Sequence, residues 1–168
     1  MLTVELASAT DAATILALRH AAEDWLAARH IDQWTPREVP LSTVAAQIDA
    51  GEFHIVRRVP DGPLVGALRL IWSDPGIWPE QDHRAGYVHG LVIDRNEAGT
   101  GLGASMLDWA SRRARHEGRS LLRLDCAETN TELCSYYLRQ GFRHVGRREF
   151  ADGSWWFSVA LFERSTDR

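Results

Sequence analysis

One stretch constrains the fold more than any other: residues 91–104 read Leu-Val-Ile-Asp-Arg-Asn-Glu-Ala-Gly-Thr-Gly-Leu-Gly-Ala. An apolar strand runs into a polar connection, and Gly99, Gly101 and Gly103 alternate into a segment with helical spacing, where Leu102, Met106, Ala110 and Ala114 share one face. The first turn of a helix leaves backbone N–H groups without partners, and these carry partial positive charge. Glycines let the backbone approach an anion and take turn angles that other residues avoid. The stretch therefore predicts a sheet whose strand ends beside a helix N-terminus, with a phosphate-sized anion as its natural occupant.

The rest of the chain fits around this junction. A short strand over Leu2–Leu6 precedes the cap residues Ser8, Thr10 and Asp11. Ile15, Leu18, Ala22, Trp25 and Leu26 then predict a helix with one buried face. A connection from His30 to Pro40 leads to a second helix over Ser42–Ala50, stopped by Gly51. Phe53–Val59 and Leu64–Trp72 flank Pro60-Asp61-Gly62-Pro63 as a hairpin, and a loop over Ser73–Arg84 follows. Strand Tyr87–Ile93, helix Leu102–Glu117, strand Leu121–Asp125 and a helix over Asn130–Gln140 come next. Two closing strands, Phe142–Phe150 and Trp155–Phe162, flank the turn Ala151-Asp152-Gly153. The order β-α-α-β-β-β-α-β-α-β-β predicts an α/β chain: a mixed, partly parallel sheet with helices on both faces.

At 168 residues without repeats or linkers, the chain is expected to form a single domain over residues 1–168. A formal net charge of −4 gives no global field for nucleic acid or for an anionic membrane, so neither is an expected partner. All 19 basic residues are arginine, which excludes a catalytic lysine. Cys126 and Cys134 are too few for a zinc site or a disulfide framework, and both are read as reduced. No apolar run approaches the roughly 20 residues that span a bilayer. The N-terminus lacks the features of a signal peptide. A cytoplasmic location is the expectation, and a homodimer is compatible with it.

Gly99, Gly101 and Ala104 also satisfy the dinucleotide fingerprint G-x-G-x-x-A, and Asp125 ends the next strand where a ribose-binding acid would sit. That reading is weaker. Five residues separate Ile93 from Gly99, where the fingerprint should follow its strand directly, and too few residues remain for a run of strand–helix units.

A second motif decides between them. Asn130-Thr-Glu-Leu-Cys-Ser-Tyr-Tyr137-Leu-Arg-Gln-Gly141-Phe142 has the register N-x6-Y-x3-G-F. Together with the glycine loop it resembles the GNAT acetyltransferases, clearly so from about Tyr87 to Val145. The resemblance implies a GNAT-like fold, a central mixed sheet of about seven strands with about four helices. It implies acetyl-CoA as co-substrate, no metal, and direct acetyl transfer to a primary amine on a small molecule or a peptide N-terminus. It places the backbones of Leu91 and Ile93 along the pantetheine arm. The amides of Gly99, Thr100, Gly101, Leu102, Gly103 and Ala104 would hold the pyrophosphate, Asn130 would touch the cofactor, and Tyr137 would face its sulfur. The usual Arg or Gln at the first loop position is Ala98 here, which removes one side-chain contact; Arg95 is the candidate to replace it. A CoA-binding module with little turnover is the alternative that this departure suggests.

Acetyl transfer to an amine needs a neutral nucleophile, an oriented thioester and a proton for the departing thiolate. Tyr137 is the candidate acid. Tyr136 projects about 100° away around the helix and is expected in the core. Asp125 is the first candidate for the amine proton. His89 is the second, and its alternation with Leu91 and Ile93 places it on their sheet face. Trp34 and Trp78 lie in connections and are the candidate lining of an acceptor pocket. Trp109, Trp155 and Trp156 are read as packing, as is Cys126.

Overall fold

The computed structural model describes residues 3–80, 82–151 and 157–167. The element order is β1 (Thr3–Leu6), α1 (Ala12–Ala27), α2 (Leu41–Asp49), β2 (Phe53–Arg57), β3 (Leu64–Ile71), β4 (Ala85–Ile93), α3 (Leu102–His116), β5 (Leu121–Ala127), α4 (Thr131–Arg139), β6 (Arg143–Arg148) and β7 (Val159–Ser165). This is the predicted succession. The strands form one seven-stranded sheet in the order β1-β2-β3-β4-β5-β7-β6. Only β4 and β5 are parallel; every other pair is antiparallel. A dinucleotide fold needs a run of parallel strands after the glycine loop, so the sheet overturns that reading. No helix among the described residues is long and apolar enough to cross a membrane.

Each sheet face carries its own core. On one face α1 and α2 bury Ile15, Val44 and Ile48 against Ile55, Ala67 and Val92. On the other, α3 and α4 bury Met106, Leu107, Ala110 and Tyr137 against Leu68, Val88, Leu122, Leu124, Cys126 and Phe162. Helix α3 shows the cause plainly: its apolar stripe is narrow, and its last turn carries Arg113, Arg115 and His116, which suit the negative end of the helix dipole.

The closing strand departs from expectation. β7 starts at Val159 and runs to Ser165, beyond the predicted end at Phe162. Glu163 and Arg164 look like solvent residues, but both are buried with partners. Arg164 donates to Ser111 Oγ, to Asp108 Oδ1 and to the carbonyls of Leu107 and Gln140. Glu163 accepts from Arg123 and Arg143. Trp155, Trp156 and most of the predicted turn at residues 151–153 lie outside the described residues.

The middle of β4 is irregular, and the site depends on it. Ala67 of β3 faces Val92, and Arg69 faces His89, so two steps along β3 match three along β4. The extra residue is a β-bulge at Gly90–Leu91, where Gly90 takes φ +56°. The bulge inverts the side-chain alternation. Val88 belongs to the same core cluster as Leu91 and Ile93, at odd separations. His89 therefore falls on the opposite face from Leu91 and Ile93, which corrects the expectation from simple alternation. Downstream of Tyr87, β4 no longer pairs with β5, while β5 stays paired with β7 through Ala127. The two central strands part like a wedge.

A side chain at Gly90 meets no atom within 4 Å, but its positive φ disfavours L-residues. Gly90→Ala is expected to cost about 1–2 kcal/mol in urea unfolding. Gly76→Ala, which has equal room and no positive φ, is the control and should change stability by less than about 0.5 kcal/mol.

Candidate active site

The wedge between β4 and β5 opens into two cavities. The larger, about 1070 Å³, runs between the start of α3 and α4. The smaller, about 350 Å³, lies under α1, α2 and the connection between them, walled by Ile15, Val44, Phe53 and Ile77. They share Gln33, Trp34, His89, Gly90, Val92 and Asp125. Among the described residues, these six lie where the two cavities meet.

The larger cavity has an anion-binding end. Gly101, at φ +82°, is the N-cap of α3, and Gly99 also has positive φ. The amides of Gly99, Gly101, Leu102, Gly103 and Ala104 make no backbone hydrogen bond among the described residues. Thr100 differs from its expected role: its amide donates to Glu97 O, and its hydroxyl turns back onto the same carbonyl. Glu97, in turn, is paired with Arg58. Arg95 lines the cleft, stacked 4.0 Å over the Trp25 ring. Further along, the Asp94 N–H donates to Val65 O. Strand alternation then turns the polar groups of Leu91 and Ile93 away from β3, toward the side that β5 has vacated.

Helix α4 supplies two tyrosines. Tyr137 is buried among Phe142, Phe162 and Tyr136, with ring centroids 5.9, 5.7 and 5.7 Å away, and still lines the cleft. Burial, reinforced by Cys126 and Asp125, holds its phenol well above the usual tyrosine range, so it stays protonated. Tyr136 is not a core residue as expected. It is half-buried and lines the same cleft, and a Cβ at Gly103 would come within 3.0 Å of its hydroxyl. Its charged neighbours are Asp108, Arg164 and Arg139 rather than Asp125. The two rings thus serve different ends of the cleft. Asn130 caps α4 by accepting from the Leu133 N–H at 3.2 Å, and its amide donates to Gln33 Oε1 at 3.3 Å.

At the wedge itself three side chains meet. The Nε2 atom of His89 lies 2.8 Å from Asp74 Oδ2, and its Nδ1 lies 3.8 Å from Asp125 Oδ1. Burial, with the Asp74 charge, pushes the Asp125 carboxyl up to about 6, although His89 opposes this. Burial pulls the His89 ring down, but the Asp74 hydrogen bond and the Asp125 charge outweigh it, so its pKa lies above the ordinary value. Ligand atoms of the three lie within 4.8 Å of one another, as a divalent cation would require. The Asp74–His89 hydrogen bond nevertheless occupies two of them with each other.

Trp34 lines both cavities, as expected of an acceptor wall, but the guanidinium of Arg19 already covers it at 4.4 Å. Trp78 does not belong to the site. It is buried against Tyr87, with Arg123 stacked 4.5 Å from its ring; its place in a connection had made it a candidate pocket residue, but the loop packs it against the sheet. Sequence reasoning missed Gln33 and Asp74. Gln33 Oε1 accepts the Ala127 N–H at 3.0 Å, capping β5 where β4 has left it. Its neighbour Trp34 was the only signal for it.

The folded Asp125 pKa of about 6 lies above its ordinary 3.8. Its contribution to stability is therefore present below about pH 4 and lost as pH rises through 6. Asp125→Asn removes this loss. Relative to the unsubstituted protein it should gain about 1–3 kcal/mol between pH 4 and pH 7, read as the difference between urea unfolding curves at the two pH values.

Comparison with known proteins agrees with this geometry. Residues 19–142 match the model of the acetyltransferase (GNAT) family. The uncharacterized N-acetyltransferase YesJ of Bacillus subtilis is 29% identical over 162 residues, covering 92% of this chain and 84% of its own. A GNAT-family acetyltransferase structure from Listeria monocytogenes superposes with a TM-score of 0.77 at 24% identity, covering 98% of this chain and 94% of that one. The structure of yncA, a putative acetyltransferase from Salmonella typhimurium with its cofactor acetyl-CoA, gives 0.70 at 17% identity, covering 100% and 95%. With the family model spanning most of its length, this chain belongs to the GNAT family of acetyltransferases.

Proposed function

We propose that this enzyme transfers the acetyl group of acetyl-CoA directly to a primary amine, with the CoA in the larger cavity and the amine in the smaller. The observation that carries this reading is the junction. Among the described residues, the two cavities meet at a wedge that holds a half-buried carboxylate and an imidazole. The amides of Gly99, Gly101, Leu102, Gly103 and Ala104, which make no backbone hydrogen bond among the described residues, suit a pyrophosphate, and the backbone of Leu91 and Ile93, unpaired with β5, suits the amide-bearing pantetheine arm. That a relative of this fold holds acetyl-CoA supports the same placement.

The chemistry follows from what lines the wedge. The amine nitrogen bonds to the acetyl carbon as the carbon–sulfur bond breaks. The amine proton passes to the Asp125–His89 pair, and the Tyr137 hydroxyl protonates the departing sulfur. Both protons are then exchanged with solvent. Tyr137 is the better-placed phenol because it faces Asp125 and Cys126, whereas Tyr136 sits against Gly103 at the phosphate end. No covalent enzyme intermediate is required, so the Cys126 thiol, pushed far up by burial, has no chemical role here. A binding module without turnover has no use for an acid and a base on either side of the thioester. The smaller cavity admits a small amine or the first residues of a peptide.

Glycine at position 101 serves its positive φ, since a Cβ there meets nothing within 4 Å. Gly101→Val should force the loop out of shape and weaken CoA binding at least tenfold in calorimetry, with the circular dichroism spectrum preserved. Incubation with acetyl-CoA and a panel of amines, following free thiol, tests the activity itself. With an accepted amine, Tyr137→Phe should lower kcat by about 10²-fold or more with little change in KM. Tyr136→Phe should act mainly on CoA affinity. Equal, mild effects on kcat would mean that Tyr137 only orients the sulfur.

A further inference from the structure

We propose that Asp74, from the loop after β3, is a positioning residue for proton transfer: it holds the Nε2 side of His89, so that Nδ1 faces Asp125 at the junction of the two cavities. The proposal rests on the transferase reading above, in which the His89–Asp125 pair takes the amine proton.

The geometry is specific. The 2.8 Å contact makes Nε2 the protonated nitrogen, donating to Asp74 Oδ2. Nδ1 is thereby left with its lone pair toward the wedge. Its distance of 3.8 Å from Asp125 Oδ1 is too long for a direct hydrogen bond, so the two atoms face the wedge side by side without being bonded to each other. Asp74 is itself fixed. Its side chain is only 12% exposed, and its carbonyl accepts the Trp78 N–H at 2.9 Å. Trp78 is in turn locked between Tyr87 and Arg123. This gives the buried Trp78 a role, since it anchors the loop that carries Asp74.

The electrostatics favour the same assignment. The charged groups facing His89 are Asp74 from the loop, Asp125 from β5 and Arg69 from β3, the last paired with Glu52. Arg19 and Glu38 line the same cavity and are paired with each other. Two carboxylates therefore flank the ring against one compensated cation. When the amine bonds to the acetyl carbon, its proton moves to Nδ1 and the neutral ring becomes an imidazolium between Asp74 and Asp125. The proton leaves to solvent through the acceptor cavity before the next turnover, which restores the neutral ring.

Asp74→Asn removes the charge and keeps the size. In the unsubstituted enzyme, kcat/KM for an accepted amine should rise with pH as the His89–Asp125 pair loses its proton. In Asp74→Asn the acid limb should move down by about one pH unit, and the plateau should fall about tenfold or more, with acetyl-CoA affinity unchanged. Asp74→Glu, which keeps the charge, should keep the limb near its original pH. In the His89→Gln background, Asp74→Asn should add no further loss. Nitrogen-15 NMR of labelled histidines should show His89 protonated at Nε2 in its neutral form, with a lower titration midpoint in Asp74→Asn. An unchanged midpoint, an Nδ1–H tautomer, or losses from the two substitutions that simply add would overturn the proposal. The NMR readings need no turnover, so they separate a wrong ring geometry from a wrong transferase reading.

Discussion

Two features of β4 shape the site. Its pairing with β5 ends at Tyr87, so that the Leu91 and Ile93 backbone is not bonded to β5, and the extra residue at Gly90 inverts the alternation, so that His89 shares a face with Val92 and Asp125 rather than with Leu91. A regular strand would supply neither. A continuous ladder would have closed the wedge with hydrogen bonds, and an unshifted alternation would have pointed the imidazole into the α3–α4 core. The residue with φ +56° thus sets which side chain faces the smaller cavity.

Burial raises the pKa of an acid on each side of the wedge. On the α4 side Tyr137 is buried without a hydrogen bond that would favour its phenolate, so the hydroxyl keeps its proton. On the other side Asp125 and His89 are half-buried beside Asp74; burial and the Asp74 charge hold the Asp125 carboxyl at about 6, and the two carboxylates hold the His89 ring above its ordinary value. The two sides differ in the charges around them as well as in depth.

Much of this was legible because it rests on local rules. The three glycines opening α3 are fixed by turn chemistry, the eleven-element order follows from periodicity, and Asn130 and Tyr137 stood out through the resemblance of their motif. What escaped depends on contacts between distant segments. The bulge is invisible to a period-two reading because its glycine looks like any other in a strand. Glu163 and Arg164 read as a strand end until Arg123, Asp108 and Ser111 arrive to satisfy them. Trp78 and Asp74 sit in a loop with no periodicity to read, and tertiary folding shows one packed against Tyr87 and the other as a partner of His89. Thr100 lies within the right motif, but its own amide is already committed to Glu97.

Beside its apolar residues, the wall of the smaller cavity is held by charge. The Glu23 side chain is fully buried in α1, where it accepts from Arg19 Nε, the Arg37 backbone N–H and Arg37 Nη1. Burial pushes its carboxyl up, but these donors outweigh it and hold it below the usual range, so it stays ionised. Arg37 adopts a positive φ of 63°, a conformation that needs holding in place, and the carboxylate holds it. Between these anchors run Gln33 and Trp34. The first caps β5 at Ala127, and the second carries Arg19 on its face. Guanidinium geometry suits this work: one arginine can bind two acceptors in a plane and stack on a ring at the same time, which an ammonium cannot do as well. In a chain with arginine and no lysine, the outline of the smaller cavity around Trp34, Arg19 and Glu38 is thus set by a rigid ionic lattice.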